Sequence, residues 1–332
     1  RRARGMLTRA AAATTEGTMN DATREELWTI AEDDYPAGGT AAERLRFLAG
    51  YAVLAPSVHN IQPWRFRLTG ERIELRADRS RALPVRDPDD RELLLSCGAA
   101  LFHLRLALRR FGHAGEVVLW PDAADPDLFA RLGFGPATEP TAEERMEFAA
   151  IPHRRTHRGP LAPRPVPTAV LTELRVLTAE EGAWLHLVES EPERAALVAL
   201  IEEADRVQAA DPALQQELPA RARELASAEG GAGGASGVPL AADAQVLAVL
   251  GTDHDTPRAW LKAGQALARM LLRAQSYDLY ASYLNQPVEV SATRVRLPAL
   301  LAREGHPQLV IRFGYGEPPP PAPRRPLAEI FD

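Results

Sequence analysis

The sequence predicts an α+β protein built from two similar halves. Two observations lead to this prediction: helical and strand patterns occur in both halves, and the chain contains an internal repeat at about half its length. The 332 residues are 45% hydrophobic and 25% charged, which is the composition of a folded globular protein. The net charge of −6 favours neither nucleic-acid nor membrane binding, and no apolar run approaches the length of a transmembrane helix.

The internal repeat is carried by two pairs of segments. The run Leu-Ser-Cys-Gly-Ala-Ala-Leu around Gly98 aligns with Leu-Lys-Ala-Gly-Gln-Ala-Leu around Gly264, 166 positions later. A second run, Arg-Leu-Gly-Phe-Gly from Arg131, aligns with Arg-Phe-Gly-Tyr-Gly from Arg312, 181 positions later. Chance matching in a chain rich in Ala and Leu is the alternative. If the repeat is real, the helices around the two aligned glycines play equivalent roles in the two halves.

Periodicity gives the order of elements in each half. In the first half it predicts a helix, a hairpin around a Thr-Gly turn, a long helix and a strand, at Thr40–Leu54, Trp64–Leu68, Arg72–Ala77, Arg91–Phe111 and Glu116–Trp120. In the second half it predicts four helices and a strand, at Pro167–Glu180, Glu191–Ala209, Pro212–Ala228, Pro257–Tyr280 and Gln308–Phe313. We therefore expect two α+β units in tandem.

Proline and charge patterns indicate where these units begin and end. Prolines at positions 163, 165 and 167 open the second half, and we place the boundary near residue 140. Residues 1–20 contain several arginines but no apolar core of a signal peptide, so we expect a flexible arm. Residues 317–332 are rich in proline and predict an extended arm outside the core. The two halves then cover residues 21–140 and 141–316.

The segment from Ala55 to Trp64, between a helix and a strand, is the most informative for function. It reads Ala-Pro-Ser-Val-His-Asn-Ile-Gln-Pro-Trp, so that neutral hydrogen-bonding groups are held between two prolines beside an indole ring. These groups suit a flat heteroaromatic ligand with polar edges better than a metal ion. A capped turn with a core tryptophan is the alternative.

A second segment, His153–Gly159, places three arginines and a threonine within five residues. Guanidinium groups form charge-assisted, fork-like contacts with phosphate, so this segment is a candidate anion site. Arg324 and Arg325 follow the proline-rich stretch and could close over the same phosphate. A solvated basic loop and a basic tail are the alternatives.

Other residue types that often carry chemistry suggest no further site. The glycine-rich stretch 230–237 lacks the spacing of a nucleotide-binding loop and follows a predicted helix, which favours a linker or hinge. Asp253, His254 and Asp255 are explained by a helix cap and turn, and we expect no bound metal. Cys97 cannot form an intramolecular disulfide, which points to a reducing compartment and a cytoplasmic location.

The segment Pro-Ser-Val-His-Asn-Ile-Gln-Pro-Trp resembles the P-S-x-x-N-x-Q-P-W motif of the nitroreductase-like flavoproteins. Arg-Arg-Thr-His-Arg at 154–158 is similar to the R-x-[ST]-x-[RK] motif of that family. In detail the chain most resembles the actinobacterial Acg branch, in which one chain fuses two degenerate halves. The resemblance covers residues 40–330 and implies a nitroreductase fold with mostly antiparallel sheets flanked by helices.

The resemblance also implies one cofactor site per chain. Nitroreductase homodimers bind FMN at the subunit interface, with one motif from each subunit. This chain has the proline-flanked loop in its first half and the arginine motif in its second. The fused pair therefore resembles an intramolecular pseudo-dimer that keeps one FMN site and has lost the other. We expect a monomer, with a homodimer as the alternative.

The motifs of the family imply which residues line the flavin. Arg158 would lie toward the N1/O2 edge, where the reduced ring gathers negative charge. Arg325 is the first candidate for the basic residue that holds the phosphate, and Arg324 is the second. The turn at 285–289 would present backbone groups to N5. No catalytic side chain is implied, because the flavin carries the hydride. The full expected set is Pro56, Ser57, Val58, Asn60, Gln62, Arg154, Arg155, Thr156, Arg158, Gln286, Pro287, Val288, Arg324 and Arg325.

Three functions are consistent with this resemblance. The first is an FMN-dependent oxidoreductase that moves hydride from NAD(P)H to a small nitro, quinone or enone acceptor. The second is a flavin-sequestering or storage protein whose site is covered by a lid, for which Asp211–Leu240 is the candidate segment. The third is a flavin-dependent dehydrogenase of a biosynthetic intermediate.

Overall fold

The computed structural model describes residues 26–217, 237–242 and 244–332. The first half contains α1 (Ala41–Ala52), β1 (Trp64–Thr69), β2 (Arg72–Ala77), α2 (Arg91–Arg110), β3 (His113–Leu119), β4 (Leu128–Ala137) and α3 (Ala142–Ala150). The second half contains α4 (Thr168–Glu180), β5 (Trp184–Val188), α5 (Glu191–Ala210), α6 (Gly237–Ala242), β6 (Val246–Thr252), α7 (Pro257–Gln275), β7 (Tyr280–Tyr283) and β8 (His306–Gly314). The described chain also contains short 3-10 helices and four single-turn α-helices: α8 (Gln286–Glu289), α9 (Ser291–Arg294), α10 (Leu297–Leu300) and α11 (Leu327–Ile330).

The two halves share one sheet topology. The first sheet has the strand order β1-β2-β4-β3 and the second has β5-β6-β8-β7, with every neighbouring pair antiparallel. In each half the long helix, α2 or α7, connects the second strand to the third. The aligned runs from Arg131 and Arg312 lie on the corresponding strands β4 and β8. The α+β class, the antiparallel sheets and the duplication predicted from the sequence are confirmed.

The two long helices cross at the glycines that the repeat aligns. A Cβ atom on Gly98 would lie 2.2 Å from the carbonyl oxygen of Leu261, and one on Gly264 would lie 2.0 Å from that of Leu95. The Cα of each glycine would lie within about 3 Å of the other's added Cβ. The contact is therefore reciprocal, as expected for a pseudo-two-fold axis that passes between α2 and α7.

The C-terminal residues are only partly an arm. Residues 317–326 have no helix or strand, which agrees with the proline pattern. However, Leu327 and Ile330 are fully buried in the core of the first half, Arg324 and Arg325 are buried as well, and the backbone N–H of Asp332 donates to Phe66 O at 3.0 Å beside β1. The expectation that 317–332 lies outside the core is therefore wrong from Arg324 onward, because two arginines and a buried helix face, formed by two apolar side chains three positions apart, attach this segment to the first half.

The predicted elements agree with the observed ones to within about three residues, with two kinds of exception. The helix expected to reach Tyr280 ends at Gln275, because β7 begins at Tyr280. Strands β4 to β7 and helix α3 were not expected; β6, for example, is a continuous apolar run whose periodicity does not separate strand from helix. Phe148 and Ile151, which follow the boundary expected near residue 140, pack in the same core as the first half.

Some expectations lie outside the described residues. These are the arm at 1–20, the end of the helix expected at Pro212–Ala228, and residues 230–236 of the glycine-rich stretch. In the part of the chain that is described, no helix combines the length and the apolar character needed to cross a membrane.

Candidate functional site

The loop between α1 and β1 has an unusual backbone. It contains a short 3-10 turn, Val58–Asn60, and three non-glycine residues with positive φ: His59 (45°), Asn60 (55°) and Gln62 (50°). Such conformations cost on the order of 1–3 kcal/mol each and persist only where surrounding contacts enforce them. Their clustering in one short loop is typical of a functional site.

Side chains and backbone groups of the first half hold this loop. The hydroxyl oxygen of Ser57 accepts a hydrogen bond from Gln62 N at 3.0 Å. The N–H of Val58 donates to Ser96 Oγ at 3.1 Å, and Ser96 in turn donates to Glu92 O on α2. Pro56 is buried, whereas Ser57, Val58 and Asn60 are half-buried and His59 is exposed. The loop therefore presents polar groups to solvent from a fixed backbone.

The two amides of the motif bind the C-terminal segment. Gln62 is fully buried; its Oε1 accepts from Arg325 N at 2.8 Å, and its Nε2 donates to Asn60 O at 3.2 Å. The side chain of Asn60 donates to Pro323 O at 3.0 Å and accepts from Arg324 Nη1 at 2.9 Å. Both ends of the Gln62 side-chain amide therefore have partners within the protein.

Arg325 is also engaged by the protein. Its guanidinium donates to Gln62 O at 3.0 Å and Trp64 O at 3.1 Å, and it lies 3.0 Å from a carboxylate oxygen of Asp78. Burial alone would raise the pKa of Asp78, but a hydrogen bond from Ser80 and the charge of Arg325 bring that pKa below its ordinary value. Arg325 therefore fastens the C-terminal segment to the first sheet.

Arg158 stands on a backbone that is held on both sides. The N–H of His157 donates to Ala281 O on β7 at 3.0 Å. The fully buried Arg312 on β8 donates to the carbonyl oxygens of His157 (3.2 Å) and Gly159 (2.7 Å). The residues on both sides of Arg158 are thus anchored, while its own side chain is exposed.

Arg155 of this motif lies beside a tryptophan, Trp28, that the sequence analysis missed. The ring centroid of Trp28 is 3.7 Å from the guanidinium carbon of Arg155 and 4.7 Å from that of Arg324. The indole N–H donates to Ala322 O at 2.8 Å. Trp28 therefore brings an arginine of the motif and an arginine of the C-terminal segment together through cation–π contacts.

This cluster is strongly positive. Arg154 and Arg324 are buried and Arg155 is half-buried. Burial and the charge of Arg154 lower the pKa of Arg155 to about 10. Within the described ranges, no carboxylate forms a salt bridge with Arg155. Guanidinium groups gathered in this way form a suitable site for an anion such as phosphate.

The loop and the arginine motif lie close to each other. Desolvation lowers the pKa of His59 to about 4, and the charges of Glu289, Arg86 and Arg158 act on it as well. Desolvation raises the pKa of the half-buried Tyr283, and the charges of Arg154 and Arg158 act against this rise. His59 of the first half is thus near Arg158 of the second, and Tyr283 is near the same arginine. Thr156, half-buried, pairs through its backbone with Ala281 on the adjoining strand.

The expected N5-facing turn is a short helix, α8. Pro287 and Val288 are buried and Gln286 is half-buried. The N–H of Val288 donates to Asn285 O at 2.8 Å, so this amide is used within the helical turn. The side chain of Glu289 accepts from Arg86 Nη1 at 2.5 Å, which joins α8 to the first half.

The segment expected as a lid is described only at its two ends. At the first end, the carboxylate of Glu217 accepts hydrogen bonds from the backbone N–H groups of Val85 (2.9 Å) and Arg86 (3.0 Å). Residues 218–236 lie outside the described residues. The described contacts therefore join residues 211–217 to the first half beside α8.

The position in the second half that corresponds to the motif loop of the first half is built differently. The second half joins α4 to β5 through residues 181–183, where the first half has the long motif loop. The repeat aligns Ser96 with Lys262 and His103 with Arg269. Arg269 forms an ion pair with Glu180 at 2.8 Å. In the part of the chain that is described, the motif loop and the arginine cluster therefore have no equivalent at the pseudo-symmetric position.

Sequence comparison identifies the family. A Mycobacterium tuberculosis H37Rv protein with the provisional name NAD(P)H nitroreductase Rv3131 is 32% identical over 326 residues, covering 88% of this chain and 92% of the relative. Acg from the same strain, with the same provisional description, is 31% identical over 309 residues, covering 84% and 92%. The chain belongs to the NAD(P)H nitroreductase family, in the branch that contains Acg.

The solved structures that align with this chain do so at low sequence identity and low TM-score. The FMN-bound nitroreductase of Bacteroides fragilis aligns with a TM-score of 0.37 and 18% identity, over 51% of this chain and 87% of that one. The nitroreductase NfnB of Mycobacterium smegmatis, solved with NADPH, aligns with a TM-score of 0.38 and 17% identity, over 52% and 88%. No protein-family model matches the chain.

Proposed function

We propose that this protein is an oxidoreductase that binds one FMN in the cleft between its halves. It would accept hydride from NAD(P)H and deliver it to a small nitro, quinone or enone acceptor. The observation that carries this proposal is that the strained loop of one half lies close to the arginine motif of the other, with Arg324 and Trp28 between them. The names of the relatives, which describe NAD(P)H nitroreductases, support the same activity.

The phosphate of FMN fits the positive end of this cleft. Arg155 and Arg324 meet there on the ring of Trp28, the charge of Arg154 acts on Arg155, and a dianionic phosphate would offset all three charges. Arg325, the residue favoured from the sequence, already contacts Asp78 and two backbone carbonyls. We therefore assign the phosphate contact to Arg324 and a positioning role to Arg325.

The ring of FMN fits the end of the cleft that Arg158 faces. FMN, when bound, supplies the hydride-carrying chemistry at its isoalloxazine ring. Arg158 would place a positive charge near the pyrimidine edge and so favour the anionic reduced state. Ser57, Val58, Asn60 and Thr156 are the half-buried residues that can touch the cofactor. The buried Pro56, Gln62, Pro287 and Val288 would shape the walls, with Gln286 at the rim.

Trp28→Leu is expected to weaken FMN binding by about tenfold, because it removes the ring face that holds Arg155 and Arg324 together. Trp28→Phe keeps a ring face and loses the hydrogen bond to Ala322, so we expect a smaller change. Quenching of flavin fluorescence measures both affinities. Equal losses in the two variants would show that the indole hydrogen bond, and not the cation–π contact, matters.

The activity is tested by absorbance from 300 to 550 nm on protein loaded with FMN, followed by anaerobic addition of NADPH or NADH. We expect bound flavin bands that bleach within the time of mixing, with free FMN at the same concentration as the control. Absence of bound flavin after loading would overturn the cofactor assignment. Bands that persist with both nicotinamides but bleach with dithionite would overturn the reductase and favour the flavin-sequestering alternative.

A further inference from the structure

His103, on α2, has one ring nitrogen without a hydrogen-bond partner among the described residues. The residue is fully buried, and its Nδ1 lies 3.2 Å from Tyr51 O on α1. A carbonyl oxygen only accepts hydrogen bonds, so Nδ1 carries a proton and donates it. The other nitrogen, Nε2, is buried and has no hydrogen-bond partner among the described residues. An unsatisfied buried polar atom requires an explanation.

The charges around this ring come from the proposed phosphate site. Arg154, after α3, and Arg324, in the C-terminal segment, both act on His103, and α1 contributes the Tyr51 carbonyl. Desolvation is the largest cause, and with the two positive charges it lowers the pKa of His103 to about 3. Without a bound anion the ring is therefore neutral, and Nε2 carries a lone pair.

We infer that His103 is a proton-linked ligand of the flavin phosphate. A dianionic phosphate has only acceptor oxygens, so it cannot face the lone pair of Nε2. Moving the ring proton to Nε2 would leave a lone pair on Nδ1 against Tyr51 O. Only the imidazolium ion donates to both acceptors, so binding the dianion draws one proton from solvent onto Nε2. The inference rests on the proposed function.

A bound phosphate also weakens one cause of the low pKa of His103. Its negative charges offset those of Arg154 and Arg324, the two positive groups that act on His103. The pKa of His103 is therefore higher in the complex than in the free protein. The contribution of His103 to affinity is present at low pH and is lost as the pH rises through the pKa of the complex.

The test is isothermal titration calorimetry of FMN into flavin-free protein at about pH 6.5, in buffers of different ionisation enthalpy. We expect the wild type to take up at least about half a proton more than His103→Gln, whose amide can still donate to phosphate. Between pH 6 and 8 the wild type should lose about tenfold more affinity than this variant. The exposed His254→Gln serves as the matched control and should behave as the wild type.

Riboflavin lacks the phosphate, so its binding shows whether the proton uptake at His103 depends on that group. We expect it to bind with no difference in proton uptake between the wild type and His103→Gln. Equal uptake of FMN-linked protons in both proteins would overturn the role of His103 and leave the proposed function standing. Failure of FMN to bind the wild type at any pH would overturn the proposed function itself.

Discussion

Gly98→Ala is expected to lower the free energy of unfolding by about 3 kcal/mol. Its new Cβ would lie 2.2 Å from a backbone carbonyl oxygen of α7, and backbone cannot rotate away as a side chain can. The two central helices must then separate, which weakens the most extensive helix contact between the two halves. Chemical denaturation followed by circular dichroism measures the loss.

The matched control is Gly38→Ala, where a Cβ would meet no atom within 4 Å. It should change stability by less than about 0.5 kcal/mol. Combining Gly98→Ala with Gly264→Ala should cost less than the sum of the single changes, because one displacement of the helices relieves both clashes. Full additivity would contradict a shared crossing point.

Arg158→Ala is expected to weaken the binding of FMN and of riboflavin alike, by about 1–3 kcal/mol or 5- to 150-fold in Kd. This side chain acts on His59 and Tyr283, which we place at the ring end of the cleft. Arg154→Ala should weaken FMN by a similar factor but leave riboflavin within about twofold, since its partner would be the phosphate. Fluorescence titration with both flavins measures the difference.

The control for these variants is Arg175→Ala, an exposed arginine on α4. It should leave both affinities unchanged. If Arg158→Ala affected only FMN, the orientation of the flavin in the cleft would be the reverse of the one proposed. If neither variant altered retention of flavin on desalting, the cationic cluster would not be the cofactor site.

The duplicated fold could be predicted because its signals are local. The run of small residues around Gly98 aligns with the run around Gly264, 166 positions later, and the structure places these two glycines at one helix crossing. The hairpin and the long helices also follow from periodicity within each segment. The strands β5 and β6 could not be separated from helix on this basis, because their apolar runs are short and are defined by pairing with distant strands.

The partners of the site residues depend on long-range contacts. Nothing in the run Glu-Leu-Trp indicates that Trp28 would stack on Arg155 and Arg324, which are more than a hundred residues away. Two adjacent arginines look alike in a sequence, and only the position of Asp78 shows that Arg325 is held by an ion pair. Motif spacing identified the loop, but it could not show that Gln62 binds the C-terminal segment.

The joining of both halves in one chain makes assembly of the cleft independent of dilution. In a homodimer, a site shared between subunits is lost when the subunits dissociate. Here the loop and the arginine motif belong to one polypeptide, so each half experiences the other at an effective concentration on the order of millimolar. A protein present at a few copies per cell would keep this cleft as intact as an abundant one.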